Sequence, residues 1–317
     1  IGGYILFGRD FDGKTKDEVV DDIHSYQNEA DIPLLIGVDE EGGTVVRVSS
    51  NPNLRETPFL SPKDTYADGG WDAVKQDAEE KADLLLSLGI NVNLAPVCDM
   101  TSDEYGFMYD RSFSSDVDME NRYVRTVVET SKSKKLGTVL KHFPGYGNNS
   151  DTHTGIAYDD RDYSKFENTD FKPFYQGIES GADCILVSHN IVNCMDSEYP
   201  ASLSQKVHDI LRNEFKFDGV IMTDDLIMNA ITDFTGDEAA AVTAAKCGND
   251  LLCCSSVDTQ YPAVLEAVQN GEVSEAQVDA SVKRILKWKQ NLGIFNIDTY
   301  QKKVKSTEPT DTVGSEE

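Results

Sequence analysis

The sequence predicts an α/β protein with a parallel sheet, organised as a (β/α)8 TIM-type barrel. Three observations carry that expectation. Short apolar runs alternate with longer amphipathic segments along the chain. Several runs are continuously apolar rather than alternating, which suits strands covered on both faces. No long linker interrupts the strand–helix repeat.

The elements follow in order. Strand candidates are residues 4–7, 34–38, 92–94, 138–140, 184–187, 220–222 and 250–254. Thr15 with Glu18 reads as a capping box, and Val19, Val20, Ile23 and Tyr26 form the apolar face behind it. Helical segments at 77–88, 120–134 and 171–179 end at or near Gly89, Gly137 and Gly181. Ser204 caps a segment carrying Val207, Ile210 and Leu211. The alanine-rich stretch 238–247 stops at Gly248, a C-terminal glycine signal. A helix at 261–268 follows the last strand. Ser274 with Gln277 starts the final helix, which carries Val278, Val282, Ile285, Leu286 and Trp288 and ends at Gly293. Seven strand–helix units are visible, whereas the barrel has eight strands. The first strand, or its equivalent, is therefore expected upstream of Ile1 or replaced. A doubly wound sheet is the alternative, weakened by the lack of a GxGxxG after the first strand. Residues 1–298 are assigned to the barrel. Residues 299–317 are assigned to a tail, disordered or linker-like, with Thr, Pro, Ser, Gly and acidic residues from Thr307 onward.

Composition excludes several partner classes. Of 317 residues, 29 are Lys or Arg and 56 are Asp or Glu, a formal net charge of -27. Such a surface repels nucleic acid and anionic lipid. No apolar run approaches the roughly 20 residues of a membrane-spanning helix. A monomer is expected. The chain starts at Ile1, so a targeting segment is not legible. The acidic surface and the Ser/Thr/Glu tail favour an extracellular or cell-surface location slightly over a cytoplasmic one. Cys98, Cys184, Cys194, Cys247, Cys253 and Cys254 form no CxxC pair or regular disulfide spacing. They read as free thiols, several of them buried. No metal site and no cofactor are expected.

Residues just past the strands carry the chemistry. Residues 34–38 lead into Asp39-Glu40-Glu41-Gly42-Gly43, and 138–140 into Lys141-His142. Residues 184–187 lead into Ser188-His189-Asn190, and 220–222 into Thr223-Asp224-Asp225. In a barrel these strand ends share the face that holds the active site. Acids, histidines, one lysine and nearby arginines are present, without a serine or cysteine triad pattern. Such a set suits glycoside cleavage, in which one carboxylate attacks or stabilises a sugar cation and a second group protonates the departing oxygen. Asp39, Lys141 and His142 are placed to hydrogen-bond sugar hydroxyls. In Asp151-Thr152-His153, the carboxylate is close enough to hold the imidazole and tune its tautomer. Lys141 as a Schiff-base lysine has no other support. Asp99 and Asp250 read as structural, His24 and His208 as surface groups on helices, and Trp71 and Trp288 as packing residues.

These motifs together resemble glycoside hydrolase family 3, in its bacterial β-N-acetylglucosaminidase branch, over nearly the whole chain. Gly37 to Gly43 with Arg47 resembles the family's IDxEGGxVxR segment. Asn93-Leu94-Ala95-Pro96-Val97-Cys98-Asp99 resembles its N-x-AP-x-x-D strand, and Asp110-Arg111-Ser112-Phe113 its RSF segment. Lys141 to Gly147 is similar to KHFPGHG, Thr223 to Met228 to SDDLxM, and Ser281 to Leu286 to SVxRIL. The resemblance implies that Asp224 is the nucleophile, His153 the general acid/base and Asp151 its partner. It implies that Asp39, Arg47, Arg111, Lys141, His142 and His189 bind the non-reducing sugar, and that Met228 lines the same pocket. The implied substrate is a GlcNAc-containing oligosaccharide or muropeptide, consistent with peptidoglycan recycling in bacteria. Family β-glucosidases take their acid from a separate domain, so Asp151-Thr152-His153 is the most discriminating feature. Alternatives are a family 3 β-glucosidase or β-xylosidase, a GlcNAc phosphorylase in which phosphate competes with water, and a non-catalytic carbohydrate-binding barrel. Three positions depart from the family pattern: Tyr146 where histidine is common, Thr44 where arginine is frequent, and Thr223 for serine.

Overall fold

The computed structural model describes residues 1–149, 151–152, 155–235 and 237–301. The strands are β1 (Gly3–Leu6), β2 (Leu35–Val38), β3 (Val92–Asn93), β4 (Gly137–Phe143), β5 (Tyr158–Asp159), β6 (Cys184–Val187), β7 (Ile191–Val192), β8 (Val220–Asp225) and β9 (Leu251–Cys253). Seven of them form one sheet in the order β1-β2-β3-β4-β6-β8-β9, and β5 pairs with β7 in a small second sheet. Every pairing is parallel. The helices are α1 (Gly8–Phe11), α2 (Lys16–Asn28), α3 (Pro62–Ser87), α4 (Val117–Ser133), α5 (Tyr163–Lys165), α6 (Phe171–Ser180), α7 (Gln205–Asp209), α8 (Asn229–Thr235), α9 (Asp237–Cys247), α10 (Val257–Gln269) and α11 (Glu275–Asn291).

Strands β2, β3, β4 and β6 are buried along their whole length, and their side chains alternate between two cores. Leu35, Val92, Leu94, Val139, Cys184, Leu186, Val220 and Met222 face inward, where Trp288 of α11 and Leu292 just past its end join them. Ile36 and Val38 face outward onto α2 and α3 through Val19, Ile23, Ala82 and Leu85. Leu140, Ile185, Val187 and Ile221 face outward onto an aromatic cluster of Phe166, Phe171, Phe174 and Phe215. Continuous hydrophobicity in the sequence thus resolves into period-2 sorting.

Among the described residues the sheet has seven strands and is open between β1 and β9. The curl brings these edges close together: a β-carbon at Gly2 would lie 3.3 Å from Leu251 Cδ1. A cavity of about 500 Å³ lies between them, lined by Ile5, Leu35, Leu251, Cys253 and Trp288 among others.

Some local expectations needed revision. Helix α3 starts at Pro62 behind the Ser61 cap, not at residue 77. The pair Gly69-Gly70 breaks it, with Gly70 at φ +63, so the sequence read as loop where two helical pieces join. His208 is buried rather than a surface group. Its Nδ1 donates to the Ser204 carbonyl at 2.7 Å on the inner side of α7. Residues 297–301 form a helical turn, and the remainder of the expected tail lies outside the described residues. All six cysteines are free. No described helix is long and apolar enough to cross a membrane.

Candidate active site

Extending the inward-facing alternation toward the strand ends points to a candidate site. Leu35 in β2 leads to Gly37 and Asp39, Val139 in β4 to Lys141, and Val220 and Met222 in β8 to Asp224. All three polar residues lie where parallel strands deliver their C-terminal ends, at the mouth of the curled sheet. The β8–β9 register slips between Met222 and Asp225. Past that slip the two adjacent aspartates part company. Asp225 braces the next loop, accepting from the Ser255 and Ile227 amides at 3.3 Å each and from the Ser255 hydroxyl. Asp224 Oδ1 accepts from the Asp225 amide at 2.9 Å.

An unbroken run of charges rims this mouth. Lys141 Nζ sits 2.5 Å from Asp39 Oδ1 and 2.6 Å from Glu41 Oε1, with its side chain only 2% exposed. Glu41 is also gripped by both arms of Arg111, at 2.9 and 2.7 Å. Burial opposes charge on Glu41, but Lys141 and Arg111 outweigh it and hold the carboxyl well below the usual glutamate value. Burial likewise opposes the Lys141 ammonium, and Asp39 with Glu41 reverses that and raises its pKa. Arg111 reaches on to His142 Nε2 at 3.3 Å. His142 Nδ1 faces Asp99 Oδ2 at 2.7 Å. A carboxylate only accepts and a guanidinium only donates. This assigns the proton to Nδ1 and the lone pair to Nε2.

Glycine makes the first turn possible. Gly42 adopts φ +102, and a β-carbon there would fall 2.1 Å from the Leu60 carbonyl oxygen. Lys81 Nζ secures the same turn by donating to the Glu41 carbonyl at 2.9 Å. Glu40 points away from the mouth. It accepts from the amides of Arg47 and Val48 at 2.9 and 2.7 Å and from the Ser49 hydroxyl. Glu40 is therefore a loop brace. It also sets the backbone of Arg47, whose buried Nε has no hydrogen-bond partner among the described residues.

The segment after β4 is tied down at its base. Asp99, fully buried, accepts from the His142 amide at 2.9 Å and the Tyr146 amide at 2.6 Å. Arg161 donates to the Gly145 carbonyl at 2.9 Å, to Asp170 at 2.8 Å and to Asp159. Gly145 sits at φ +121, and a β-carbon there would meet the Asp170 carboxylate at 2.7 Å. Asn149 closes the base by donating to Asp159 at 2.7 Å. Asp151 is half-buried at the far end of the segment. His153 lies outside the described residues.

The remaining expected residues are placed as follows. His189 is fully buried, with Nδ1 2.7 Å from the Ser202 hydroxyl and Nε2 3.0 Å from the Asp225 carbonyl. These contacts brace the β8 turn. Met228 is buried in that turn. Asp39, Glu41, Lys141, Arg111, His142 and Asp99 form one connected cluster. Sequence reasoning passed over Glu41 and Asp99 as participants. The signal for Glu41 was its place just past Asp39 in an acidic Gly-Gly turn. No group of His, Cys, Asp or Glu among the described residues is arranged to hold a metal ion.

Near this cluster, Glu120 is fully buried, with Oε1 unpartnered among the described residues and Oε2 accepting from the Ser114 amide at 2.8 Å. Burial, helped by the charge of Asp99, pushes its pKa well above the ordinary 4.5. The folded protein therefore binds a proton that the unfolded chain has released, so this residue removes stability as pH rises above about 4.5. Glu120→Gln is expected to raise Tm at pH 8, with the gain shrinking toward pH 5. Thermal denaturation of both proteins across that range checks it. A pH-independent difference would contradict it.

The profile of the glycosyl hydrolase family 3 N terminal domain matches residues 1–288. A protein named β-hexosaminidase from Hydrogenovibrio crunogenus is 31% identical over 286 residues, covering 88% of this chain and 79% of its own length. The structure of a glycoside hydrolase family 3 β-N-acetylglucosaminidase from Paenibacillus sp. FPU-7 superposes with a TM-score of 0.86 at 30% identity, over 93% of this chain and 57% of that one. A family 3 glycosyl hydrolase from Mycobacterium smegmatis superposes with a TM-score of 0.81 at 27% identity, over 93% of this chain and 89% of that one.

Proposed function

The chain belongs to glycosyl hydrolase family 3, and we propose that it is a retaining exo-β-N-acetylglucosaminidase acting on terminal β-linked GlcNAc. The observation that carries this reading is the shared inward face of Asp39, Lys141 and Asp224 at one sheet mouth. A rigid pair of one cation and one anion presents a donor and an acceptor to neighbouring sugar hydroxyls. The Asp224 carboxylate continues the inward face of β8, and among the described residues the buried Nε of Arg47 is a donor with hydrogen-bonding capacity to spare. The relatives named above supply the sugar class.

In the proposed reaction Asp224 attacks the anomeric carbon and the glycosidic C–O bond breaks. The proton for the leaving oxygen comes from His153, with Asp151 as its partner. Water then loses its proton to His153 and attacks the same carbon, breaking the ester to Asp224. Two inversions leave the β-anomer. Lys141 and Asp39 hold the sugar, and Asp39 with Glu41 keeps Lys141 charged in a site whose burial would otherwise disfavour it.

The test compares aryl β-N-acetylglucosaminide with aryl β-glucoside and β-xyloside at matched leaving group. A kcat/KM higher by about 100-fold or more for the N-acetyl sugar, roughly 2.7 kcal/mol, is expected. A preference for glucose or xylose would refute the sugar assignment. Binding without any turnover would refute catalysis.

A further inference from the structure

We propose that the Tyr146 hydroxyl is a positioning group for proton transfer, acting by holding Thr152, the residue between Asp151 and His153 in the chain, against the start of α8. This rests on the reading of Asp151 and His153 as the acid/base pair.

The middle residue of that triplet is the anchored one. Thr152 is fully buried, although the residue before it is half-exposed and polar. Its hydroxyl hydrogen-bonds the Tyr146 hydroxyl. Its carbonyl accepts from the Ala230 amide at 3.3 Å, in the first turn of α8. Ala230 follows Asp224 on the same β8–α8 connection. One residue therefore joins the segment after β4 to the segment after β8, and its chain neighbour is Asp151.

Tyr146 is built to serve as a fixed post. Its amide donates to Asp99 at 2.6 Å, and Asp99 also holds His142. Its ring packs with Val97 and Met108 and stands edge-on to His142 at 5.3 Å between centroids. Burial and the negative charge of Asp224 push the phenol above its usual value, so it stays neutral at working pH. The side chain is 2% exposed, which leaves it no role as a platform for solvent-borne substrate. A histidine at this position would be shorter and carry no hydroxyl.

The physical consequence is geometric. A general acid works only within hydrogen-bond reach of its oxygen, and a misplacement of about 1 Å can cost about 100-fold. Holding Thr152 fixes the residue that separates Asp151 from His153 in the chain, at an entropy cost met in folding rather than in each turnover.

The test uses the full chain and two substrates, an aryl β-N-acetylglucosaminide with a poor leaving group and the dinitrophenyl one. Tyr146→Phe is expected to lower kcat on the poor leaving group by about 10- to 100-fold, with KM within about threefold. On the dinitrophenyl substrate, added azide is expected to restore its rate, because azide needs no base to attack the glycosyl-enzyme. Thr152→Val should behave alike, Thr152→Ser should retain activity, and the double variant should lose no more than either single one. Equal losses on both substrates without azide response, or additive losses, would overturn the proposal. His153→Ala separates the two readings. If it shows leaving-group dependence and azide rescue while Tyr146→Phe shows neither, only the positioning role falls. If it shows neither itself, the acid/base assignment falls, and the positioning role falls with it.

Discussion

Asp224→Ala is expected to lower turnover of an aryl β-N-acetylglucosaminide by about four orders of magnitude or more, about 5.4 kcal/mol of transition-state stabilisation. The size follows from losing the group that forms the covalent bond rather than one that tunes it. The neighbouring Asp225→Ala is the control that makes the result specific. Asp225 holds Ser255 and the turn at Ile227, so its loss is expected mainly in Tm, with activity falling less. Steady-state kinetics and thermal melts on both variants check this. Comparable activity losses for the two, or near-normal turnover in Asp224→Ala, would refute the assignment.

The second large effect concerns Lys141. Removing its ammonium leaves Asp39 and Glu41 without the cation they share, 2.5 and 2.6 Å away. Breaking a buried ion pair by deleting one partner costs about 3–5 kcal/mol, because the remaining charge stays desolvated. Lys141→Met, which preserves length and apolar volume, is expected to lose about that much stability at neutral pH. The pH dependence has a definite sign. Glu41 is held below its ordinary 4.5, so its contribution is present above that value and is lost on acidification. Lys141 is raised above 10.5, so its contribution persists at all pH below that. The gap between wild type and variant should therefore be widest near pH 7 and narrow below about pH 4. Urea denaturation at several pH values measures it. A gap that is constant down to pH 3, or absent at pH 7, would contradict the role of the cluster.

Much of this architecture was legible because each apolar run had to be a strand and each glycine stop ended a helix. Residues 184–187 and the Thr15–Glu18 cap were read at their observed positions. The reading failed where tertiary context decides. The helix was expected to start only at residue 77, because the Gly69-Gly70 kink separates the first piece of α3 from the rest. His208 has the polarity of a surface residue, yet α7 turns it onto Cys247. Asp39, Lys141 and Asp224 could be grouped from sequence because each lies just past a predicted strand; that they continue the inward positions of those strands emerges only from the fold. The pairing of Glu41 with Arg111, of Asp99 with His142 and of Arg161 with Asp170 was not legible, since these partners lie on other connections and nothing in a linear pattern pairs them. The Tyr146 substitution was visible as a departure from the motif, but its meaning depends on Thr152 standing opposite it.

The most direct measurement is the site of the covalent bond. Asp151→Ala, impaired in turning over the intermediate, would be quenched during hydrolysis of dinitrophenyl β-N-acetylglucosaminide, digested and mapped by mass spectrometry. A single N-acetylglucosaminyl ester on Asp224 is the predicted result. An ester on Asp225 or elsewhere, or no adduct together with an α-anomer as the first product, would contradict it.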